Sequence, residues 1–261
     1  KSPDVATLTC GAASDWPQCF PALDRESAKS NYLSRELKKY TDACLALSPK
    51  FVLPGGGRYC LSGRHASLNK YIASPTYDQL RKATPSPTQF LEIEGGGSIK
   101  FFKKHKDGHA NYDTIKTAEP TPPNNLTYRS YEFDRFDAVV DTESFNSARN
   151  RWLKKISALN LFFPHSIYIC LYHGLPIDDH GDIDIADPYP DPSSDNVLAL
   201  YEKQSDSSSL HYIHIDSKAI NACIHHGFIL KQILSGSLAI QYRSPDVFSP
   251  EANFSLAFFG N

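Results

Sequence analysis

Six cysteines, Cys10, Cys19, Cys44, Cys60, Cys170 and Cys223, constrain this chain more than any other feature. Their number is even, no two stand as C-x-x-C, and the spacing is not that of a zinc or thiol-redox motif. Read as a disulfide framework, they divide at the gap of 110 positions between Cys60 and Cys170 into an early four and a late two. Pairing within each group would join Cys170 to Cys223, a strand to a helix, and would pin the N-terminal segment to the first helix. Cys44 also lies on the apolar face of a helical segment, where a buried free thiol is the alternative. Disulfides belong to oxidising compartments, so the framework implies a secreted, extracellular protein. Two glycosylation sequons, Asn125-Leu126-Thr127 and Asn253-Phe254-Ser255, agree with that route. The sequence starts at Lys1 and has no Met anywhere, as expected of a processed form whose targeting segment has gone.

At 261 residues and 41% apolar content the chain can bury a sizeable core, and nothing in it reads as membrane-spanning or as wholesale disorder. A near balance of 27 basic and 29 acidic side chains makes a general nucleic-acid binder improbable, while leaving a local basic patch open.

Periodicity places the clearest helix at residues 26–47, where Leu33, Leu37, Tyr40, Cys44 and Leu47 recur at helical spacing. Ser48-Pro49 ends it. A second helix is predicted over 143–159 with Thr142 as N-cap, and a third after Asp216 as far as Leu234, weakened by Gly227. Strand patterns fall at 166–173, 197–202, 210–215, 237–243 and 254–259. The predicted fold is therefore α+β: one secreted domain with about three helices, a mainly antiparallel sheet, long loops and disulfide staples. Its N-terminal helical, cysteine-rich part covers about 1–90 and its strand-rich part about 91–261.

Chemistry is harder to find. Gly55-Gly56-Gly57-Arg58 and Gly95-Gly96-Gly97-Ser98 lack the lysine and hydroxyl spacing of a phosphate-binding loop, and no G-x-S-x-G elbow is present. His211-x-x-His214, His225-His226 and His105-x-x-x-His109 offer imidazoles but no complete ligand set, and positions 211 and 214 of a strand face opposite ways. No metal or cofactor is assigned. Charging all ten histidines in an acidic fluid would reverse the sign of the chain. Seven aspartates between Asp178 and Asp195 form an acidic loop, whereas Lys100, Lys103, Lys104 and Lys106 flank Phe101 and Phe102. That lysine segment reads either as contact with an anionic surface or as a charged edge strand guarded against aggregation.

Tyr131-Glu132-Phe133 with Arg135, and His211 far downstream, supply a carboxylate base, a guanidinium and an imidazole acid. In outline this resembles the Tyr-Glu and late-His arrangement of small fungal secreted RNases, which implies metal-independent RNA cleavage by Glu132, Arg135 and His211. The alternative places Tyr131, Phe133 and Phe136 on a strand. In overall style, the loop-rich cysteine-bearing chain resembles effector-type proteins exported by filamentous plant-associated fungi. That resemblance implies action by binding a host extracellular protein, with a papain-like cysteine protease as the concrete target and neither membrane nor nucleic acid as partner. Leu53-Pro54-Gly55-Gly56-Gly57 is the predicted inhibitory loop, held by its disulfides in the shape that enters a cleft.

Overall fold

The helix read from apolar spacing is present as α1 (Arg25–Leu47), which buries Tyr40 and Cys44 and gives way at Ser48, whose φ is 45°. A computed structural model describes residues 2–11, 15–55, 60–92, 99–106, 109–116, 130–203 and 209–260. The chain divides into two compact units, one of Lys1–Ala12, Asn31–Tyr59 and Ser74–Asn125, the other of Ala13–Ser30, Cys60–Ala73 and Leu126–Asn261.

In the first unit β1 (Val5–Thr9), β2 (Phe51–Gly55) and β3 (Gln89–Phe90) form a parallel sheet in the order β1-β2-β3. A helix stands between successive strands, α1 before β2 and α2 (Tyr77–Ala83) before β3, as a parallel crossover requires. Thr76 and Gln79 close a capping box at the start of α2. Cys10, Tyr40, Cys44, Val52 and Leu80 make the core, with Leu8 and Leu37 packed against it. Separate from that sheet, β4 (Ile99–Lys106) and β5 (His109–Lys116) pair antiparallel as a two-stranded ribbon.

The second unit is built on β6 (Ser166–Tyr172), β7 (Val197–Tyr201), β8 (Leu210–Asp216) and β9 (Ala239–Ser244), in the order β7-β6-β8-β9. The central pair is parallel and the outer pairs antiparallel. Alternation gives the sheet two different faces. Ile167, Ile169, Ile213 and Ile215 pack with Phe145, Ala148, Trp152 and Ile156 of α3 (Thr142–Ala158) and with Ala219, Ile220 and Cys223 of α4 (Ser217–His225). Tyr168, Cys170 and Tyr212 occupy the opposite face with Val197. The chain then adds α5 (Leu230–Ser235) and α6 (Pro250–Ser255).

Several expectations are corrected. The three-stranded sheet is parallel and the four-stranded sheet mixed, and only the β4–β5 ribbon is wholly antiparallel among the described residues, because hydrophobic alternation specifies a face and carries no strand direction. Six α-helices stand among the described residues instead of about three. The predicted helix from 217 to 234 is broken at Gly227, whose φ of 73° is left-handed, into α4 and α5. The predicted strand at 254–259 is the end of α6 and a 3-10 turn at Leu256–Phe258. There Ser249 accepts from the Ala252 N–H at 3.1 Å and Pro250 occupies the first helical position, a helix start that overrides the apolar run.

The disulfide framework is absent, and all six cysteines are free thiols. Cys170 and Cys223 cannot meet, since they lie in cores on opposite faces of the same sheet. Cys10 and Cys44 are two buried thiols of one apolar cluster, Cys19 is buried in the second unit, and Cys60 is exposed. Apolar packing therefore does what the staples were expected to do.

Candidate functional site

The predicted inhibitory loop is half a strand. Leu53, Pro54 and Gly55 pair in parallel register with Thr7, Leu8 and Thr9 of β1, so entering a cleft would break that pairing. Gly56, Gly57 and Arg58 lie outside the described residues, as do Gly95 to Ser98 and the sequon at Asn125. The second sequon sits in α6, where the Ser255 hydroxyl is buried and donates to the Ala252 carbonyl at 2.7 Å.

The acid-base set does not assemble either. Glu132 and Arg135 occupy a 3-10 turn, Glu132–Arg135, instead of a strand, and pair with each other at 3.0 Å while both remain largely exposed. That turn lies by the start of α4, where Lys218 Nζ donates to the Asp134 carbonyl at 2.9 Å. His211 stands five residues before Asp216, roughly 16 Å from that end of β8 at strand rise. It is buried, with Nε2–H donating to Gln241 Oε1 at 2.9 Å. Burial, and then the positive charge of Arg243, pull its pKa down to about 3, so the ring is neutral and cannot serve as an acid near neutral pH.

Polar side chains converge instead beyond the C-terminal ends of β6 and β8. After β6 the chain turns to β7 on one side, and after β8 it passes through α4 and α5 to β9 on the other, a divergence at which α/β sheets form crevices. Asp216, the last residue of β8, caps α4 by accepting the Lys218 N–H at 2.9 Å, and its other oxygen accepts from Arg64 Nη2 at 2.9 Å. Arg64 Nη1 donates to both oxygens of Asp134, at 2.9 and 3.1 Å. The guanidinium lies 4.7 Å from the Tyr131 ring, whose hydroxyl donates to the Ser62 carbonyl at 2.7 Å. His65 stacks on the same ring, buried to 1% exposure, and neither of its nitrogens has a hydrogen-bond partner. Burial, then Arg64, depress its pKa to about 3.

This is a guanidinium held between two carboxylates, with each charge paired. It offers no free base and no protonated acid, and it ties residues 60–73, the 132–135 turn and α4 together. Sequence reasoning missed Arg64, His65 and Asp134. Asp216 was legible as the residue before a predicted helix.

His214 and three aspartates of the acidic segment are likewise committed to the fold. His211 and His214 do face opposite sides of β8: His214 donates through Nε2 to the Pro188 carbonyl at 3.0 Å and accepts at Nδ1 from the Tyr172 hydroxyl at 3.2 Å. Burial lowers its pKa to about 4. In the acidic segment Asp178, Asp187 and Asp191 accept backbone N–H groups two residues ahead, which spends their carboxylates on shaping the loop. Among the described residues no group of three His, Cys, Asp or Glu side chains could hold a metal ion, and no helix is long and apolar enough to cross a membrane.

One feature of the second unit is not used by its own core. Leu159, Phe162, Val247, Phe248 and Phe254 are exposed, Phe162 at 67% and Phe248 at 59%. The segments that carry them are joined twice, by His165 Nε2 donating to the Pro245 carbonyl at 2.9 Å and Trp152 Nε1 donating to the Ser255 carbonyl at 2.8 Å. These two bonds bring α3 and the stretch after it next to the 245–255 segment, so the exposed side chains stand on neighbouring segments, called the apolar rim below. Compared with known protein families, with characterised proteins and with solved structures, the chain matches none.

Proposed function

We propose that the chain acts by binding a protein partner through the apolar rim of its second unit, without catalysis of its own. The observation that carries this reading is the set of large exposed side chains, three of them phenylalanines, on two segments tied together by two hydrogen bonds, one of them buried. Each loses apolar exposure on docking, and aromatic side chains dominate the energy of protein interfaces. The rigid backing lowers the ordering cost of association. With no disulfide framework behind it, the proposal of a host extracellular partner, a papain-like cysteine protease first, rests on the resemblance alone, and Phe162 and Phe248, not Leu53 to Gly57, are the proposed contacts.

The test is a titration of a papain-like protease with the purified chain, run beside RNA and peptide cleavage assays of the chain alone in metal-free buffer. Stoichiometric inhibition that Phe162→Asp and Phe248→Asp weaken supports the reading, with no cleavage of either substrate. RNA cleavage abolished by Glu132→Ala or His211→Ala would overturn it in favour of the RNase.

A further inference from the structure

The lysine-rich segment singled out in the sequence becomes one strand of the β4–β5 ribbon, and β5 adds to it. The sixteen paired positions carry Lys100, Lys103, Lys104, Lys106 and Lys116 against a single acid, Asp113, on a chain whose net charge is -2. In register Tyr112 stands opposite Lys103, Asp113 opposite Phe102 and Thr114 opposite Phe101. Guarding an exposed edge against aggregation accounts for lysines. It does not account for three aromatics among them in a ribbon that forms a sheet of its own.

We infer that the β4–β5 ribbon is a binding element for single-stranded nucleic acid. Cationic groups repeating along a strand match a phosphate backbone, and aromatic residues interleaved with them match the faces of unstacked bases. An anionic polysaccharide offers the same charge without the π-faces, which separates the two ligands by experiment. This site is independent of the apolar rim.

The probe is a labelled single-stranded RNA of about a dozen nucleotides, followed by fluorescence anisotropy against the full chain. Binding is expected, with log affinity falling against log salt at a slope of about −3 if four or so phosphates are neutralised. Lys103→Glu/Lys104→Glu should weaken binding about tenfold or more and flatten that slope. Phe101→Ala/Phe102→Ala should weaken RNA binding by about fivefold or more at unchanged slope, and leave heparin binding unaltered. Both variants are to melt with the wild type, and the wild-type salt slope is read independently of either. Absence of RNA binding at about 50 mM salt, or RNA affinity indifferent to both double variants, would overturn the inference. Loss of RNA and heparin binding together in the phenylalanine variant would also count against it.

Discussion

At the scale of single residues, the thiols give the sharpest expectation. Cys60 is exposed, whereas burial disfavours the thiolate at the others, raising Cys10 to about 11 and Cys170 and Cys223 to about 12, with Cys19 and Cys44 also shifted up. Alkylation without reductant should modify one cysteine in the native chain and six after unfolding, read by intact mass. Fewer than six in the unfolded chain would contradict the free-thiol assignment. Histidines give a second. His65, His211 and His214 have pKa values lowered by burial to about 3, 3 and 4, so between those values and the ordinary 6.5 the unfolded chain binds more protons than the folded one. Their contribution to stability is full above about pH 6.5 and is lost as pH falls toward the folded values. The melting temperature should drop between about pH 6.5 and 4, less steeply in His211→Gln; a flat profile would contradict the burial described here. A count of ten histidines cannot distinguish a ring beside Gln241 from one in water, so these three were not legible as buried.

At the scale of elements, the cost of a substitution follows what the side chain holds. Asp216→Ala removes both the cap of α4 and one partner of Arg64, and should cost about 2–3 kcal/mol in chemical denaturation. Glu132→Ala breaks only an exposed pair within one turn and should stay within about 0.5 kcal/mol. Equal losses from the two would sink this ranking. Much at this scale was legible: α1 and α3 lie within a residue or so of their apolar periodicity, and β6, β7 and β8 follow their β-branched and aromatic runs. The capping box at Thr76 and Gln79 was a readable signal for α2 that apolar spacing in so short a helix does not supply. Strand direction was not legible, because β6 and β8 become parallel neighbours only after β7 has taken the other edge. The Arg64 network was hidden for a similar reason, with partners 70 and 152 positions away.

At the scale of the whole molecule, three buried clusters of apolar side chains and free thiols stand where disulfide staples were expected, and His211, Arg64, Asp134 and Asp216 are either buried or paired. The surface proposed for a protein partner is the rim of Leu159, Phe162, Val247, Phe248 and Phe254. Affinity capture with immobilised wild-type chain and with the Phe162→Asp/Phe248→Asp variant, both confirmed folded, tests this most directly when run on host extracellular fluid. The account predicts a protein retained in near-stoichiometric amount by the wild type and by Leu53→Asp, and lost, by about tenfold or more, with the double variant. The same protein retained undiminished by the double variant, or none retained by the wild type, would contradict it.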